Sequence, residues 1–188
     1  MTYASTTPFD LLANQGDANA QFNLGLLYGD GKSLPQDYAK ARYWHGRAAY
    51  QGHAPAQYSI ALMHHKGLGM PQDNAQSAHW YRMAAEQGHQ GAQFNLATLY
   101  DEGLGVSRDP VMAYVWFFLA GAKGQTVHPV PPRSTGPIAS RLSYSTAKGG
   151  QAAKGNCDRI ALQLTTAERE HAEQLADRYY DKYVLPFR

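Results

Sequence analysis

The chain has 188 residues, of which 44% are hydrophobic and 17% are charged, and its formal net charge is +2. This composition argues against a disordered chain, and the net charge by itself indicates no particular class of partner. The single cysteine, Cys157, excludes an intrachain disulfide.

The sequence contains no segment that resembles a membrane span or a signal peptide. No stretch approaches about 18 consecutive apolar residues, and the most apolar one, residues 111–122, is predicted to be a buried helix. The first residues, MTYASTTPFDLLANQG, lack a basic region followed by an apolar core. We therefore expect no membrane insertion and a cytoplasmic protein, or a periplasmic one if a leader has been removed.

A short capping helix is predicted over residues 8–15. Thr7 suits the N-cap, Pro8 suits the first helical position, and Asp10 places an acid in the first turn. The segment resembles the end of the second helix of the repeat that follows it.

A 36-residue repeat occupies most of the chain. Gly16, Gly52 and Gly88 open three units, residues 16–51, 52–87 and 88–123, which begin GDANAQFNLGLLYGDG, GHAPAQYSIALMHHKG and GHQGAQFNLATLYDEG. Apolar residues at helical spacing predict a first helix, helix A, in each unit. Helix A is expected to end at a left-handed glycine, and a second helix, helix B, is expected around a tryptophan; these residues are Gly31, Gly67, Gly103, Trp44, Trp80 and Trp116.

The pattern A-Q-[FY]-N-L-G-x-x-Y, then G-x-G-[VM]-x-x-D, then A-x-x-W-[YF]-x-x-A-A-x-x-G resembles the Sel-one-like repeat (SLR) family, which is related to the tetratricopeptide repeats. The resemblance covers residues 16–123. It implies an all-α fold, an α-α superhelix (solenoid) of three full helix-pair repeats with capping helices. It also implies a protein partner bound on a concave surface lined by the A helices.

A Pro-rich insertion, residues 125–149, interrupts the repeat pattern. Residues 121–160 carry six basic residues and one acid. The sequence PVPPR contains P-x-x-P beside a basic residue, which is typical of polyproline ligands; a stiff spacer is the favoured interpretation, because a loop with four prolines produces this match by chance. The insertion supplies candidate partner-binding residues Pro129, Pro131, Pro132, Arg133 and Arg141.

A degenerate helix pair is predicted over residues 150–183. The first helix is expected from Ala152 to Leu164. Thr165 and Glu168 form a capping-box pattern that opens the second, which has Ala172 and Tyr179 on one face.

The residues do not assemble a recognisable catalytic or metal site. The eight histidines show no H-E-x-x-H pattern, and Cys157 lies on a periodic apolar face, which favours a buried, inert thiol. We therefore predict no catalytic, cofactor-binding or metal-binding residues, no cofactor and no small-molecule substrate. Nucleic-acid binding is disfavoured because the basic residues are sparse.

Candidate partner-binding residues on helix A are the positions that the repeat leaves free to vary. They differ in charge between units, which favours a surface adapted to one partner over the alternative of an unconstrained solvated face. They are Asn23, Asp30, Ser59, His65, Lys66, Asn95, Thr98, Asp101 and Glu102.

Two functional hypotheses stay open, with an enzyme as a weaker third. The first is an adaptor that binds a protein on the concave A-helix face, with or without the insertion folded over that face. The second is an inhibitor or immunity-type protein that blocks the active site of a toxin or effector enzyme, with the basic insertion as the plug. Deletion of residues 125–149 tests the second hypothesis, because it should abolish inhibition while leaving helicity intact.

Overall fold

The computed structural model describes residues 8–122 and 148–187, and their regular secondary structure is helical. The all-α helix-pair architecture predicted from the sequence is confirmed. None of the described helices is both long and apolar enough to cross a membrane. The helices are α1 (Pro8–Asn14), α2 (Ala18–Asp30), α3 (Tyr38–Tyr50), α4 (Ala54–Lys66), α5 (Asn74–Glu86), α6 (Gln90–Glu102), α7 (Pro110–Ala122), α8 (Lys148–Ala161) and α9 (Thr166–Tyr183), followed by a 3-10 turn at Leu185–Phe187.

The A helices α2, α4 and α6 begin in the same way. The side chains of Asp17, His53 and His89 cap them by accepting hydrogen bonds from backbone N–H groups three residues later, over 2.7, 3.2 and 3.2 Å. Each cap satisfies one of the donors that a helix N-terminus leaves unpaired. His53 and His89 act through Nδ1 as acceptors, so their place in the repeat is explained by helix capping.

The A helices also end alike, as the sequence predicts. Gly31, Gly67 and Gly103 are left-handed, with φ of 68°, 67° and 71°, a conformation that costs glycine least. The chain then turns back to helix B, whose N-caps are Asp37, Asp73 and Asp109. Each of these aspartates also donates its backbone N–H to a carbonyl of the preceding A helix, over 2.9–3.0 Å.

A buried glutamine at the start of each A helix hydrogen-bonds the end of the helix before it. Gln21, Gln57 and Gln93 are at most 1% exposed. Their Nε2 atoms donate to the carbonyls of Ala13, Ala49 and Ala85 over 3.0, 3.2 and 3.1 Å. The same carbonyls accept the backbone N–H groups of Gly16, Gly52 and Gly88. Both lone pairs of each carbonyl are thus used, which a buried helix end requires.

An aromatic contact joins helix A to helix B within each repeat. The ring pairs are Phe22–His45, Tyr58–Tyr81 and Phe94–Phe117, with centroids 5.4, 5.7 and 5.1 Å apart. Each pair occupies the same two repeat positions. The contacts fix the packing of the two helices through shape as well as buried area.

The described chain forms two compact units, divided between Ala84 and Ala85. In the first unit, α1 packs on α2 and buries Ala13 beside Ala20 and Leu24. Ala13 lies 36 residues before Ala49 and accepts the equivalent glutamine bond. The helix α1 therefore takes the place of a preceding B helix, as its sequence suggested. Thr7, its predicted N-cap, lies outside the described residues.

In the second unit, α7 is buried on all sides. Residues 113–122 are buried without interruption because α6, α8 and α9 all pack on this helix. The Trp116 ring contacts Tyr179 edge-on at 5.5 Å and stacks with Tyr183 at 6.0 Å. Cys157 is 1% exposed and its Sγ lies 3.7 Å from the carbonyl oxygen of Tyr114. The apolar run of α7 is thus a core helix.

The bounds of α8 differ from the sequence prediction. The helix spans Lys148–Ala161 rather than Ala152 to Leu164. It starts earlier because Gly150 is buried within it, so tertiary packing outweighs the low helix propensity of glycine. It ends earlier because the capping box of Thr165 and Glu168, which is confirmed, requires a non-helical approach. Residues 148 and 149, assigned above to the insertion, are therefore helical, and the rest of the insertion lies outside the described residues.

We predict that Gln57→Ala lowers the free energy of unfolding by about 2 kcal/mol, because the amide hydrogen bond to Ala49 is lost and a cavity is left behind. For a chain of this length that corresponds to a melting temperature about 4–8 °C lower, measured by circular dichroism. The matched control is Gln72→Ala, because Gln72 is exposed and donates a similar bond, Nε2 to the His65 carbonyl over 2.8 Å. Equal losses in the two variants would contradict the role given to burial.

His45 is a buried histidine without a compensating charge. It is 4% exposed and its Nδ1 has no hydrogen-bond partner among the described residues. A Cβ at Gly25 would lie 2.5 Å from this nitrogen, so the glycine makes room for the ring. Burial lowers the pKa of His45 to about 4 from its ordinary 6.5, and the nearby His53 acts in the same direction.

We predict that stability falls between pH 6.5 and pH 4, because there the unfolded chain binds a proton at His45 that the folded chain does not. The pKa difference corresponds to about 3 kcal/mol. Urea unfolding at pH 7.5 and 4.5 should show a decrease about 2 kcal/mol smaller in His45→Leu than in the wild type. Burial also lowers the pKa of His53 and His64, so the free energy of unfolding of the variant still decreases somewhat as the pH falls. His171→Gln, at an exposed position of α9, should behave as the wild type. A wild-type pH dependence in His45→Leu would refute this assignment.

Candidate protein-binding surfaces

The A-helix positions predicted to bind a partner are partly available in the first unit. Asp30 and Lys66 are exposed at the ends of α2 and α4, and Asn23 is half-buried. Ser59 donates its Oγ hydrogen to the Pro55 carbonyl over 3.1 Å. His65 Nδ1 lies 3.1 Å from Asn74 Oδ1, so its side chain is already held within the fold.

The second unit uses more of the predicted positions internally. Asn95 and Thr98 are half-buried, and Thr98 Oγ1 donates to the Phe94 carbonyl over 3.1 Å. The carboxylate of Asp101 is only 14% exposed and forms an ion pair with Arg159 of α8. Glu102, by contrast, is exposed. Asp101 therefore ties the end of α6 to the C-terminal helix pair, a role that the sequence did not suggest.

The other predicted residues and chemistries fall into two groups. Pro129, Pro131, Pro132, Arg133 and Arg141 lie outside the described residues. Within residues 8–122 and 148–187, no group of three or more His, Cys, Asp or Glu side chains is placed to hold a metal ion.

The first unit contains a groove that was not predicted from the sequence. It has a volume of about 330 Å³ and lies between α3, α4 and α5. We call it the B-helix groove, because most of its lining comes from the B helices; these residues are Arg42, Tyr43, Gly46, Arg47 and Tyr50 of α3 and Trp80 of α5.

The B-helix groove has an apolar floor and an aromatic rim. Ile60 of α4 and Trp80 are 4% and 6% exposed, whereas Tyr43 and Tyr50 are 56% and 81% exposed. The Tyr50 ring meets Trp80 edge-on with centroids 5.2 Å apart. Large exposed aromatic rings beside a concavity are typical of protein-binding surfaces. The signal in the sequence was the pair of tyrosines on the outer face of α3, but the groove itself depends on how three helices pack.

A family profile described as Sel1 repeat matches residues 18–53, 54–89 and 91–125, so each matched repeat starts two or three residues after the units read from the glycines. Comparison with curated proteins finds no match.

Two of the solved structures that share the fold are similar to more than half of this chain. One is c5321, a protective antigen present in uropathogenic Escherichia coli strains displaying an SLR fold; it is 31% identical, with a TM-score of 0.75, over 95% of this chain and 33% of that one. The other, a Sel1 repeat protein from Oxalobacter formigenes, is 36% identical, with a TM-score of 0.58, over 62% of this chain and 88% of that one. The present chain thus spans about a third of the length of the first. The three matched repeats cover more than half of the chain, and the chain belongs to the Sel1 repeat family.

Proposed function

We propose that this chain is an adaptor that binds a protein partner through the exposed ends of its A helices. Sel1 repeat proteins are generally protein-interaction modules. The capping, glutamine and aromatic contacts described above recur at fixed repeat positions and stabilise the helix pairs. Exposed residues outside this set are free to serve recognition.

One repeat position carries the proposal. The last residue of each A helix, immediately before the left-handed glycine, is exposed in all three repeats and is Asp30, Lys66 or Glu102. This residue has the same place in the backbone of each repeat, whereas the charge of its side chain differs between repeats. A helix C-terminus disfavours acids by about 0.3–1 kcal/mol, so Glu102 is not explained by stability of its own helix. Asp30 has a local role as well, since its Oδ1 accepts the N–H of Lys32.

We predict that Lys66→Glu and Glu102→Lys each weaken partner binding several-fold, and that together they weaken it about tenfold, because charges at an interface rim act mainly on association. The partner is first captured from a lysate of the native cells, and its affinity for each variant is then measured by surface plasmon resonance. Asp101 is left unchanged because its ion pair would confound the result.

The control variant is Glu170→Lys, an equivalent charge reversal at an exposed position of α9. Binding by this variant should match the wild type, with helicity intact in every case. Wild-type affinity in the Lys66→Glu/Glu102→Lys double variant would remove the A-helix ends from the interface.

A further inference from the structure

The charge of the B-helix groove is positive. Arg42 and Arg47 both line it, and no Asp or Glu does. Neither guanidinium is in an ion pair with a carboxylate of the described chain. The Arg47 guanidinium lies 5.9 and 5.6 Å from the ring centroids of Tyr43 and Trp44, which orients it without neutralising it.

His64 completes the polar part of the groove. Its Nδ1 is buried with no hydrogen-bond partner in the part of the chain that the structure describes. Burial, together with Arg42, lowers the pKa of His64, while Asp73, whose Oδ1 caps α5, opposes this. His64 is therefore neutral at pH 7, and the positive charge of the groove comes from the two arginines.

Gly46 keeps the groove open. It lies in the middle of α3, where glycine is about 1 kcal/mol less favourable than alanine. A Cβ at this position would meet nothing within 4 Å. The fold itself therefore does not require glycine here, whereas a bulky side chain would occupy the space between Arg42 and Tyr50.

We propose that the B-helix groove binds an acidic segment of a partner protein, with a carboxylate held by Arg42 and Arg47 and a neighbouring apolar side chain packed on Ile60 and Trp80. Guanidinium groups favour carboxylates because they offer a planar fork of donors. The volume lies at the small end of ligand pockets, which run from about 300 to 1,000 Å³, so it suits side chains of a peptide rather than a folded surface.

Single-stranded nucleic acid is the competing occupant, since bases stack on aromatic rings beside arginines. A nucleic-acid site requires a positive track that follows the backbone. The groove offers two cations above an apolar floor, which complements an acidic and apolar peptide better. The proposal concerns a different surface from the A-helix ends and stands apart from the role given to them.

The test uses the full chain and three peptide arrays. The first array presents octapeptides of four Glu and four apolar residues in shuffled order, and the other two replace Glu by Gln or by Lys. We expect the wild type to bind members of the Glu array and not their Gln or Lys counterparts. For the best Glu peptide, fluorescence anisotropy should show at least about tenfold weaker binding by Arg42→Glu/Arg47→Glu.

Filling the groove supplies the second measurement. Gly46→Leu should also lose at least about tenfold in affinity. Its matched control is Gly155→Leu, a second helical glycine with nothing within 4 Å, which should bind as the wild type. Arg178→Glu, at an exposed position of α9, is the control for charge.

Three results would overturn the proposal. They are no selective binding to the Glu array, wild-type affinity in Gly46→Leu, and tighter binding of a ten-nucleotide oligothymidylate than of any Glu peptide. Each of these would leave the A-helix proposal standing if the captured partner still responded to Lys66→Glu and Glu102→Lys. Loss of that response with intact peptide binding would remove the A-helix proposal alone.

Discussion

The architecture depends on the bond from a buried glutamine amide to the last turn of the preceding helix. A helix leaves its final carbonyls unpaired, and a solenoid buries them against the next repeat, where water cannot reach them. Gln57 resolves this conflict at Ala49, together with the N–H of Gly52. The same bond recurs at Gln21 and Gln93, so the first turn of each A helix is joined to the end of the helix before it.

The sequence predicted the parts of the fold that are local in the chain. Two such features are the glycine that ends each A helix and the capping box at Thr165. Each depends on residues within one or two helical turns, so it can be predicted from the sequence pattern. Contacts between distant segments were not predicted. Asp101 meets Arg159 across 58 residues, and the B-helix groove arises only when α3, α4 and α5 pack together. The capping role of His53 was not predicted, because histidine is an unusual N-cap.

These contacts distinguish positions that stabilise the fold from positions that are available for binding a partner. Positions used for caps, bridging amides and ring pairs have the same role in every repeat. Some positions outside that set that are not buried differ in charge or leave space, as at Lys66 on an A helix and at Gly46 on a B helix. Substitutions at the positions available for binding leave the caps, bridging amides and ring pairs in place, because each repeat is stabilised mainly by its neighbours. Both proposed binding surfaces include residues at positions that are available for binding.

Hydrogen exchange of backbone amides in Gln57→Ala tests the central claim most directly. If the glutamine couples consecutive helices, the variant should exchange faster at the end of α3 and throughout the first turns of α4, while α9 in the second unit keeps its protection. Each segment is read by mass spectrometry against the wild type under native conditions. Unchanged protection in α3, with faster exchange confined to α4, would show that the amide serves only its own helix and would contradict the account.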